Sequence, residues 1–76
     1  MKFLEVGSWK INWERMIAAY GKGSSRVSTS IIEMNGVIMC EDREKWSWKP
    51  LFTDEKDARK AYEAYFIWEL ERQVLG

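Results

Sequence analysis

The chain has no histidine, one cysteine, one proline and no long apolar run among its 76 residues. Without histidine there is no Ser-His-Asp triad, no imidazole general base and none of the usual zinc ligand sets. Cys40 stands alone, so an intrachain disulfide and a Cys-x-x-Cys redox pair are excluded, and the reducing cytoplasm is the expected compartment. Nothing in the chain can activate that thiol as histidine would, and it is read as a small buried side chain on a strand. No segment approaches about 18 consecutive apolar residues, and Phe3 and Leu4 are followed at once by Glu5, so neither a membrane span nor a signal-peptide core is expected. Net charge is absent too. Twelve Lys and Arg balance twelve Asp and Glu, which removes any broad electrostatic case for nucleic acid or an anionic membrane.

Apolar residues are well supplied. They make up 46% of the chain against 32% charged residues, the balance of a globular domain, and the length suits one domain spanning 1–76. Five tryptophans exceed what so small a core needs, so some indoles are expected at a surface or an interface.

The first two-thirds of the chain reads as strands within 2–52. A short strand over 2–6 leads to Gly7-Ser8, a tight turn. Trp9, Ile11 and Trp13 then alternate with Lys10 and Asn12 at the period of a half-buried strand. Residues 16–20 read as another strand or a continuation of the same one; the stretch 13–20 also fits a two-turn helix with Trp13, Met16, Ile17 and Tyr20 on one side, but Gly21, Gly23 and the strand that follows favour β structure. Residues 21–25 contain the letters of a phosphate loop in the wrong order and before a strand instead of a helix, so they are read as a plain connection. Val27, Thr29 and Ile31 share one side of the next strand, with Ser28, Ser30 and Ile32 opposite. Asn35-Gly36 is the clearest local signal, a type I′ hairpin turn. Beyond it Ile38 and Cys40 face one way and Val37, Met39 and Glu41 the other, both sides apolar near the turn, so each is expected to need a cover. Residues 42–45 form a charged turn, and Trp46, Trp48 and Pro50 outline an edge strand.

The stretch 54–74 reads as one long helix, with Thr53 as its cap and Asp54, Glu55 and Asp57 at the end where the helix dipole favours negative charge. Ala58, Ala61, Tyr62 and Tyr65 fall on one arc, while Tyr62, Phe66, Leu70 and Val74 form a second line that drifts around the axis. The fold expected is α+β, a curved antiparallel sheet of four or five strands with this helix closing one face. Tyr62, Tyr65 and Phe66 are expected to meet Ile11, Ile31 and Met39 or their neighbours in the core.

Function is less sharply written. The acidic cluster Glu41, Asp42, Glu44 lacks the spacing of a calcium loop, and the helix carboxylates Glu63 and Glu69 have Arg59 and Arg72 within helical reach. No enzyme, cofactor or metal is inferred. The expected role is a small non-enzymatic protein-interaction or regulatory module, self-associating or binding another protein. Its expected interface is Phe66, Ile67, Trp68, Leu70, Val74 and Leu75, which span too much of the helix circumference to face one sheet. Trp68 is the expected anchor, and pairing about a twofold axis is expected to bury roughly 1,200–2,000 Å². The alternative is a single-stranded nucleic-acid binder that interleaves Trp9, Trp13, Trp46 and Trp48 with Lys10, Arg15, Lys22, Arg26 and Lys49 on the sheet.

Overall fold

The computed structural model describes residues 3–21 and 27–75. Met1, Lys2, residues 22–26 and Gly76 lie outside them, and with them the start of the expected first strand, most of the glycine-rich connection and the expected Lys22 and Arg26 contributions. Six strands run antiparallel in sequence order, β1 (Phe3–Val6), β2 (Trp9–Asn12), β3 (Ile17–Tyr20), β4 (Val27–Met34), β5 (Val37–Asp42) and β6 (Ser47–Pro50), and are followed by the helix α1 (Glu55–Leu75).

The α+β class stands, but among the described residues the sheet has six strands, not four or five, and it is not strongly curved. The additional strand comes from the turn at 13–16, which divides a stretch whose periodicity also allowed a continuous strand or a helix. Asn12 Oδ1 accepts from the Arg15 amide at 3.2 Å, Trp13 O accepts from the Met16 amide at 3.2 Å, and Met16 takes a left-handed φ of 51°. An equivalent turn at 43–46 joins β5 to β6. There Asp42 Oδ1 accepts from the amides of Glu44 and Lys45 at 3.2 and 3.4 Å, and Trp46 again has φ 51°. An Asx side chain holds the turn in both cases, and a left-handed residue returns the chain to the ladder.

The two short hairpins follow their local sequence. Asn35 and Gly36 both have positive φ, 51° and 85°, as a type I′ turn requires, and Glu33 Oε2 accepts from the Gly36 amide at 2.7 Å. Gly7 alone carries positive φ in its turn, the pattern of type II′.

The helix starts one residue later than expected. Asp54 caps it in place of Thr53: its Oδ2 accepts from the Asp57 amide at 3.1 Å, and its carbonyl accepts the first helical bond from Ala58 at 2.9 Å. Ala61 is fully buried and Ala58 and Ala64 are half-buried, so small side chains let α1 lie close on the sheet. The shared core joins Ile11, Trp13, Ala18, Ile31, Ile38, Cys40 and Leu51 to Ala61, with Leu4, Tyr65 and Trp68 packed around it. Tyr62 meets the Phe66 ring at 6.4 Å instead of joining the residues packed on that core, and two further core expectations need correction. Phe66 is 51% exposed, and Met39 pairs with Ile32 and Pro50 on the face away from the helix. Alternation explains the second: with Cys40 buried beneath the helix, its neighbour Met39 must point the other way.

Candidate functional site

The helix has two apolar faces. At about 100° per residue, the nine positions from Ala61 to Leu70 bring Leu70 roughly opposite Ala61, and Phe66, Ile67, Leu70 and Val74 then share an outward arc of about 100°. Their exposures are 51, 55, 47 and 82%, consistent with a face turned away from the sheet. The expected interface residue Leu75 falls outside that arc, within about 40° of Ala61 on the sheet-facing side, and is 84% exposed at the helix end.

Trp68 does not join this stripe. It is half-buried against the domain's own core, 5.8 Å from the Tyr65 ring, and the Arg72 guanidinium lies 5.2 Å above its indole. Tyr65 in turn meets Trp13 edge-on at 5.5 Å and donates from its hydroxyl to Glu69 Oε2 at 3.0 Å, while Arg72 also pairs with Glu69. This network fixes the second half of α1 to the sheet and so sets the direction of the outward stripe. The Arg72 hydrogen bond holds the Glu69 carboxyl below its ordinary range, and burial, with Glu69 beside it, pushes the Tyr65 hydroxyl up.

The sheet also has a face that the helix does not cover. The register places Ile32, Met39 and Pro50 in one cross-strand row and Met34 and Val37 in the next, with Trp48 opposite Glu41 beside them. Met34, Val37 and Trp48 are about 40% exposed and Ile32 and Met39 are half-buried, so an apolar patch occupies β4, β5 and β6 on the side away from α1. Towards β1 this face becomes mixed: Ile17 stands between Ser30 and Asn12, and Ala19 between Ser28 and Lys10, with Glu5 beyond.

The residues of the alternative nucleic-acid face are not gathered on one surface. Trp13 is 2% exposed in the core, Trp9 and Lys49 lie on the helix side, and Lys10 and Trp48 on the other. Arg15 is in the 13–16 turn, and Trp46, 92% exposed, is in the 43–46 turn. An open concavity of about 750 Å³, lined in part by Trp9, Val27, Thr29, Asp42 and Lys49, has charges of both signs at its rim. The Asp42 carboxylate there is already engaged by turn amides, and Glu41 pairs with Arg43 at 3.4 Å. Among the described residues no three His, Cys, Asp or Glu converge as a metal site would require, and no helix is long and apolar enough to cross a membrane.

Comparison of the chain with known protein families, curated proteins and solved structures finds no match. The functional reading therefore rests on the two uncovered apolar faces. Alternation had marked the β4–β5 hairpin as apolar on both sides; the register adds Trp48 and Pro50 to its uncovered side.

Proposed function

We propose that this chain is a non-enzymatic interaction module that self-associates through the outward face of α1. The observation that carries the reading is the stripe of Phe66, Ile67, Leu70 and Val74, four large apolar side chains about half exposed or more on a helix whose other side already fills the core. Grouped apolar surface of this kind marks interaction sites, whereas scattered apolar residues do not. With the surface that a partner contributes, the stripe can bring the area buried to the order of 1,000 Å², where specific interfaces begin. Leu70, near the centre of the stripe, replaces Trp68 as the anchor, because Trp68 is engaged within its own domain. A cytoplasmic setting belongs to the same proposal and is supported by the free, buried Cys40.

Sedimentation equilibrium over a micromolar concentration series tests the reading. The native chain should show an average mass above its monomer value of 9.0 kDa, rising with concentration, and Leu70→Glu should remain at that value. A native chain that stays monomeric throughout would remove the proposal. The single-stranded nucleic-acid reading retains one supporting feature, the exposed indole of Trp46 at a turn tip. Its test is tryptophan quenching by an oligonucleotide at low salt, reversed at high salt.

A further inference from the structure

We propose that the outward stripe of α1 in one copy docks on the uncovered face of β4, β5 and β6 in the next, so that the chain associates head to tail. This inference rests on the self-association reading and names the surface that receives the helix. The domain is two layers deep, with α1 on one side of the sheet, its stripe facing outward from that side, and the apolar patch of Ile32, Met34, Val37, Met39 and Trp48 on the other. Each copy thus carries both an apolar helix face and an uncovered apolar sheet face.

The width of the stripe favours a sheet as its receiver. An arc of about 100° is what a helix uses against a broad core, whereas two helices joined along a coiled-coil seam need a narrower one. The other face of this same sheet already receives a helix in that manner, through Ala61, Ala64, Tyr65 and Trp68. The methionines of the patch are unbranched and can adapt to the ridges of an incoming helix. Helix-to-helix pairing would leave the sheet patch in water; head-to-tail stacking covers both apolar faces with one type of contact, and their combined area reaches the order of 1,000 Å² needed for a specific interface. Because the two faces lie on opposite sides of the domain, a single twofold pair cannot satisfy both, and the association continues past the dimer until it closes as a ring or remains open.

The test mixes two variants that each block one face. Leu70→Glu disables the stripe and leaves the sheet patch intact; Met39→Glu does the reverse. Both add a negative charge, so the doubly altered contact is not rescued by attraction. Met34→Glu, at a side chain 43% exposed, is the second sheet-face variant should Met39→Glu fail to fold by circular dichroism. The native chain should exceed the dimer mass with rising concentration. Each variant alone should sediment as a monomer, and an equimolar mixture should form a 1:1 heterodimer, twice 9.0 kDa, that grows no further. A sheet-face variant that dimerises by itself would overturn the docking while leaving helix-mediated self-association standing. A mixture that stays monomeric would also overturn the docking, and a monomeric native chain would overturn both readings.

Discussion

Replacing Trp68 tests which way the helix faces. In the structure this indole is half-buried, contacts Tyr65 at 5.8 Å and lies beneath Arg72 at 5.2 Å. Truncating a fully buried aromatic to alanine costs about 3–5 kcal/mol; about half of that applies at this exposure, and the loss of the ring and guanidinium contacts adds several tenths. Trp68→Ala should therefore cost roughly 2–3 kcal/mol of a total stability on the order of 4–11 kcal/mol for a chain this long. That corresponds to a fall in Tm of roughly 10–20 °C. Leu70→Ala removes a side chain that is 47% exposed on the opposite side of the helix, so in the monomer it should cost no more than about 0.5 kcal/mol. Thermal unfolding followed by circular dichroism, at a dilution where sedimentation shows only monomer, separates the two. If Trp68→Ala melts within about 4 °C of the native chain while Leu70→Ala loses 10 °C or more, the helix is facing the wrong way and the interface argument fails with it.

Trp46 has a left-handed φ of 51° and is 92% exposed, a strained backbone carrying a ring that packs little. Trp46→Gly should raise stability by about 1 kcal/mol in urea unfolding, the relief of strain exceeding the added freedom of the unfolded chain; a loss of similar size would show that the indole has a packing role. The Glu69 carboxyl is held low by Arg72, so its contribution is present at neutral pH and is lost as pH falls from the ordinary glutamate range through the lowered value; Glu69→Gln should flatten that part of the urea midpoint against pH. Tyr65 is shifted upward by burial, so its neutral form favours folding, and stability should fall as pH rises above the ordinary tyrosine range, with Tyr65→Phe reducing the fall. Cys40 is 5% exposed and its thiol is pushed up by burial, so a thiol reagent should react at a rate limited by unfolding; rapid labelling of the native chain would contradict its placement beneath the helix.

The fold was legible wherever one local rule acted without competition. Asn35-Gly36 specified its hairpin because both residues tolerate positive φ, and the long stretch free of Gly and Pro specified α1. The number of strands was less legible. Its decisive residue, Met16, adopts a left-handed conformation that methionine's preferences disfavour, and an Asn12 side-chain bond together with the ladders on both sides maintains it. The cap moved from Thr53 to Asp54: both residues are good caps by type, and it is the Asp54 carboxylate that accepts from the Asp57 amide.

The candidate site shows the corresponding limit in packing. Helical periodicity identified Phe66, Ile67, Leu70 and Val74 together with Trp68 as an apolar surface too wide for one sheet, but periodicity alone does not say which side a core will take. The choice was made by Ala61 and Ala64, whose small side chains allow close approach to the core of Ile11, Ile31 and Cys40, and by Tyr65 and Trp68, whose rings fill the space beside Trp13. Once that side faces inward, the rest of the stripe must face outward. Burying Cys40 beneath the helix likewise turns Met39 to the other face of the sheet, where Ile32 and Pro50 stand in the same row. The packing that completes the core thus leaves apolar surface on both sides of the domain, and one helix cannot cover both.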